Sequence, residues 1–442
     1  MKKLTIGILM GLTVMSQAMA NDARFSPKNL FVKVKKGQSL TKSQHIKSAK
    51  KLIGRIYLVK TDNLKALEAE LSQSEAVDYT QKDYYAPKKL LPKHEELEPT
   101  TALLKRMFDI NYTFNDPDAG RLWAFNSKAG MNVTTAYDKL PNKDAEEIIV
   151  AVVDTGVDHN HEDLKDIMWT NTKEIPGNGI DDDGNGYIDD VHGINTLVRD
   201  RNGNATTDTM ASHWHGTHVA GTIAATQNNG IGITGVANNV KIMAIRTVPD
   251  DADELDSDIV EGFLYAARNG AKIINCSFGK KHNEQGMIVR DIMNEIGERY
   301  NTLIVVSAGN DSTNNDVRLK YPASFDSDNM IVIASTTSNG GLSYFSNYGV
   351  IGVDVAAPGS DIYSTINNNK YSNASGTSMA APNASGVAAM VLGYNPHLSA
   401  LGLKEVLMNS VTKVPAFQGK VLTGGRVNLE AALKEAKKKQ YR

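Results

Sequence analysis

Short apolar runs alternate with helix-length stretches through the middle of this chain, and few architectures accept that pattern. Ile148 to Val153 is apolar at every position, so it has no face for solvent and suits a parallel strand covered on both sides. Val240 to Ile245 precedes the helical stretch Ile259 to Arg268, which Gly270 should end. The strand around Ile274 precedes Met287 to Tyr300, and further strands follow near Ile304 and Ile331. Such alternation predicts an α/β fold: a mostly parallel, twisted sheet with helices on both faces. Reactive groups in these folds gather where the strands end.

Three of the segments end or begin on one reactive side chain beside small residues. Asp154 stands where the Ile148 run stops, with Gly156 two residues on. His215 opens a stretch in which Val219, Ala220, Ile223 and Ala224 recur at helical spacing. Ser378 lies in Gly376-Thr377-Ser378-Met379-Ala380-Ala381-Pro382, at the start of a small-residue helix with Pro382 read into its first turn. A turn aspartate or an N-cap serine explains each motif singly. Together they supply a carboxylate, an imidazole base and a hydroxyl nucleophile in the chain order Asp, His, Ser. The nucleophile-elbow alternative fails because Ala380 replaces its second glycine.

From about Asn115 to about Ala432 the chain resembles the subtilisin-like serine peptidases, the subtilases. The resemblance implies a serine endopeptidase acting on protein or peptide substrates through an acyl-enzyme. His215 would be the base, Asp154 its partner and Ser378 the nucleophile. Asn310, at the end of the apolar run from Leu303, would donate to the oxyanion beside the Ser378 backbone N–H. Ser277, Phe278 and Gly279 would form a backbone rail for substrate, and Ala308 and Gly309 are further expected substrate-binding residues. By similarity Lys320, before Tyr321-Pro322, sits near the floor of the pocket for the side chain preceding the cut, where a lysine hints at tolerance for acidic or polar side chains, although it is expected to point outward. Trp214 departs from the small residue usual before the histidine, which bears on the adjoining subsite.

Other readings compete for the same residues. His213, His215 and His218 are similar to the zinc cluster of metallo-β-lactamase-type hydrolases, although Thr217 stands where that cluster needs Asp. A catalytically silent binding protein on the same fold is a further alternative. Cys276, the sole cysteine, excludes an intramolecular disulfide and reads as a buried thiol. Calcium is the expected structural cofactor, with none needed for catalysis. Asp181, Asp183, Asn185, Tyr187 and Asp189 are its expected ligands in a D-x-D-x-N-G loop, whose twelfth position is His192 and not the Glu of an EF-hand.

The chain has 442 residues and 41% hydrophobic content, ample for more than one folding unit. Residues 1–20 read as a signal peptide, with Lys2 and Lys3, an apolar stretch from Leu4 to Val14, and Ala18-Met19-Ala20. Secretion, extracellular or periplasmic, follows. Residues 21–86 resemble the small α+β inhibitory prosegments of subtilases, with Asp62 the expected cap of a helix from Leu64 to Leu71. Residues 87–114 read as a linker with the maturation site, and 115–442 as the peptidase domain. Residues 21–100 carry 16 basic and 10 acidic side chains, residues 101–442 carry 30 and 40, and opposite signs favour docking of the prosegment on the enzyme. No apolar segment is long enough to span a membrane, no basic-aromatic pattern points to nucleic acid, and a monomer is expected, with no room for a further C-terminal domain.

Overall fold

A computed structural model describes residues 25–86, 113–126, 128–140, 145–201, 203–250, 254–281 and 286–439. The expected signal peptide and nearly all of the expected linker lie outside these residues. The chain divides into a unit of Met1–Pro87 with His282–Gly286, and a larger unit of the remainder.

In the smaller unit, strands Ser48–Ile53, Ile56–Lys60, Phe25–Val34 and Val77–Ala86 lie side by side in that order, all antiparallel. Helix Leu64–Ser72 covers one face through Leu64, Leu67 and Leu71, which join Leu30, Val32, Val34, Val59 and Val77 in a common core. That spacing, three and four residues apart, is one apolar stripe. The cap is Asn63 and not Asp62: Asn63 Oδ1 accepts the Ala66 amide at 3.1 Å, while Asp62 pairs with Lys47. Strand Ser48–Ile53 escapes a sequence reading because four of its six residues are exposed, as an edge strand permits.

The larger unit is built on a sheet whose central strands run parallel. Their order is Val355–Pro358, Met330–Thr336, Leu303–Ser307, Ile273–Cys276, Ile148–Asp154, Val240–Arg246 and Gly193–Arg199. From Ile148–Asp154 the chain goes first to one side of the sheet and then to the other. Asp154 therefore ends the strand where the winding reverses, the place at which such folds form a crevice. Helices Trp214–Ala224 and Thr377–Tyr394 pack together, and all but one residue of the latter are buried. Its run of Ala, Gly and Ser suits a helix with neighbours on every side. Among the described residues no helix is long and apolar enough to cross a membrane.

Candidate active site

Asp154 is the last residue of its strand and 1% exposed; its Oδ1 accepts the Thr155 amide at 2.8 Å and lies 2.7 Å from His215 Nδ1. His215 is the second residue of helix Trp214–Ala224, whose N-cap His213 accepts the His215 amide at 3.2 Å. The helix comes this close because Gly216 lies against Gly156: a methyl group at Gly216 would fall 2.1 Å from the Gly156 carbonyl oxygen. With Nδ1–H committed to Asp154, the ring keeps Nε2 as its basic nitrogen.

Ser378 is the second residue of helix Thr377–Tyr394 and 9% exposed. Pro382 is the sixth residue of that helix, beyond the first turn expected for it, and so withholds the amide that would bond the Ser378 carbonyl. Ser277 Oγ supplies the missing donor at 2.9 Å and in turn accepts from Asn275 Nδ2 at 2.9 Å, while Asn275 Oδ1 accepts from Ser385 Oγ at 3.0 Å. The Ser378 hydroxyl donates to the Ser277 carbonyl at 3.0 Å. Attack would require it to rotate toward His215, a tightening common when substrate arrives.

Asn310 is held by its oxygen. Asn310 Oδ1 accepts from the Thr377 amide at 2.8 Å and the Thr377 hydroxyl at 2.9 Å, and that hydroxyl accepts the Gly309 amide at 3.0 Å. A methyl group placed on Gly376 would sit 3.4 Å from Asn310 Nδ2 and 3.5 Å from the Ser378 nitrogen. Two N–H donors thus flank one small space, and the Ser378 N–H, in the first turn, has no partner within its helix. An oxyanion is the chemical species such a pair accommodates.

The three clustered histidines divide among separate tasks. His213 caps the helix, His215 meets Asp154, and buried His218 places Nε2 at 3.0 Å from the Ile362 carbonyl oxygen. Cys276 is fully buried, and burial pushes its thiol well above the usual range, as for a structural residue. Trp214 is half-buried, its ring 5.5 Å from that of His215. Lys320 does not point outward; its side chain is only 15% exposed.

In the acidic loop, Asp181 and Asp183 come together with Glu174, whose ligand oxygens lie within 4.8 Å of theirs. Hard carboxylate oxygens at that spacing fit a divalent cation such as calcium. Glu174 had no sequence signal, since it precedes the motif by seven residues. The Asp189 carboxylate, which accepts the amides of Asn178 and Gly179 at 3.1 and 3.0 Å, is not part of that group. Asn185 Oδ1 accepts the Tyr187 amide at 2.9 Å, and the Tyr187 hydroxyl donates to Glu261.

The subtilase family (peptidase S8) matches residues 145–425. The chain belongs to the subtilase family. Subtilisin-like protease 1 of Plasmodium berghei is 34% identical over 341 residues, 73% of this chain and 55% of that protein. An extracellular protease of Xanthomonas campestris is 33% identical over 356 residues, 73% of this chain and 57% of that protein. The chain spans about half the length of the curated relatives it matches. Among solved structures, a protease from Pseudoalteromonas arctica aligns with a TM-score of 0.58 and 30% identity, over 74% of this chain and 100% of that one. Subtilase architecture accounts for the mostly parallel sheet.

Proposed function

We propose that this chain is a serine endopeptidase that hydrolyses peptide bonds in protein or peptide substrates through an acyl-enzyme. The observation that carries the reading is the buried 2.7 Å pairing of His215 Nδ1 with Asp154, on a helix packed against the one that bears Ser378. Ser378 Oγ attacks the scissile carbonyl as its proton passes to His215 Nε2; Asp154 stabilises the imidazolium. The oxyanion forms between Asn310 Nδ2 and the Ser378 N–H. The imidazolium proton then goes to the leaving amine, and water, deprotonated by the same nitrogen, releases the acid and restores Ser378.

Residues 21–86 act as an inhibitory prosegment, and maturation cleaves within 87–114 after a signal peptide of 1–20 has directed export. The α+β build of the smaller unit and the extracellular naming of the Xanthomonas relative support this. Calcium, bound by Glu174, Asp181 and Asp183, would neutralise their mutual repulsion and fix the loop. The distinct partners of His213, His215 and His218 speak against a zinc hydrolase. The test is to express the full chain beside Ser378→Ala and follow both the mass of each and hydrolysis of an unfolded protein. The wild type should shorten itself and degrade the substrate while the variant does neither. Identical maturation and degradation by the two would overturn the proposal.

A further inference from the structure

Lys320 lies beside two backbone segments that lead to the surroundings of Ser378. Gly279 is two residues beyond Ser277, which exchanges hydrogen bonds with Ser378, and Gly309 adjoins Asn310. A methyl group on Gly279 would lie 3.3 Å from Lys320 Cε, and one on Gly309 would lie 3.3 Å from Lys320 Cγ. The lysine stem therefore runs beside both glycines, with the Tyr321 carbonyl oxygen 2.8 Å from the methyl position at Gly279 and Asn347 Nδ2 2.6 Å from that at Gly309 as its neighbours there. A pair of backbone hydrogen bonds between Lys280 and Tyr321, 2.7 and 2.8 Å long, ties the Lys320 segment to the rail.

The charge arrangement there is asymmetric. Among the described residues Lys320 Nζ has one loose contact, 3.5 Å to Asp311 Oδ2, and Asp311 is shared with Lys281 Nζ at 3.1 Å. An ammonium carries three donors, so this one keeps hydrogen-bonding capacity to spare. Burial lowers the Lys320 pKa, opposed by Asp311; nearby Lys281 lowers it further, and Glu254 opposes most weakly. A second carboxylate reaching Nζ would relieve that penalty. A cationic side chain would meet an Asp311 already flanked by two lysines, and an aromatic one would have to desolvate the ammonium without pairing it.

Resting on the peptidase reading, we infer that Lys320 sets a preference for an acidic residue, Glu above all, at the substrate position just before the cut. Glutamate has the longer reach, and its carboxylate would accept a charge-assisted hydrogen bond from Nζ.

The experiment compares kcat/KM for peptides identical except for Glu, Gln, Phe or Lys at that position, using mature wild type, Lys320→Met and Lys320→Arg. A Glu over Gln preference of about ten- to a hundredfold is expected in wild type, shrinking as salt is raised. Lys320→Met should bring the ratio to about one, and Lys320→Arg should restore most of it. The wild-type ratio and its salt dependence test the inference even if Lys320→Met does not fold. A wild-type ratio near one, or a ratio that Lys320→Met leaves intact, would overturn it while hydrolysis itself upholds the peptidase reading. Failure of wild type to cut any of the peptides or an unfolded protein would overturn both.

Discussion

Asn310 presents its amide nitrogen to the space beside Gly376 only because Thr377 holds the amide oxygen with two hydrogen bonds. Asn310→Ala should therefore lower kcat by about two to three orders of magnitude with little change in KM, since the lost donor acts on the oxyanion. Steady-state kinetics on one peptide decides this, and an equal loss in binding would contradict it. Ser277 has a different task, supplying the donor that Pro382 withholds from the Ser378 carbonyl. Ser277→Ala leaves that buried oxygen unpaired and should cost about 1–3 kcal/mol in denaturant unfolding. No loss of stability would show that the carbonyl finds another partner.

At the scale of elements, the acidic loop has its own test. Added calcium should stabilise the protein by about 2.7 kcal/mol at a hundred times the dissociation constant, raising Tm, and Glu174→Gln with Asp181→Asn should flatten that response. An unchanged calcium response in the double variant would exclude this site. The loop also shows where sequence reading stops. The strands around Asp154, Asn275 and Asn310 are legible because each is an apolar run with no solvent face. Strand Gly193–Arg199 is not, because Val198 and Arg199 leave the core and its first residues are mixed. Glu174, the Asn275–Ser277–Ser378 chain and the inward course of Lys320 depend on contacts between distant segments, so no local pattern encodes them. Asp116 and Asp163 are of the same kind. Asp116 accepts the amides of Asn228, Asn229 and Gly230, and Asp163 accepts from the Ile233 amide and the Asn229 side chain.

For the whole molecule, stability should carry a pH signature in the absence of any disulfide. His161 is fully buried, faces the Lys370 carbonyl through Nε2 at 3.1 Å and accepts the Asp163 amide on Nδ1 at 3.1 Å, which requires the neutral ring. Burial lowers its pKa below the ordinary value near 6.5. Its contribution is present above about pH 6.5 and lost as pH falls through the depressed folded value. Asp163 works in the opposite sense: burial pushes it up to about 6, so its contribution is lost as pH rises through that value. The difference between wild type and His161→Gln isolates the imidazole, and unfolding free energy should fall less steeply with acidification in the variant. Parallel curves would contradict the neutral buried ring. The central claim is that Asp154, His215 and Ser378 act as one unit, and covalent labelling of the mature protein by a serine-directed phosphonyl fluoride tests it most directly. The account predicts one adduct per chain, mapped by mass to Ser378 and formed at least a hundredfold more slowly in His215→Ala, an order of magnitude set by general-base catalysis at roughly 10² or more. No adduct at Ser378, or equal labelling rates in the two proteins, would contradict it.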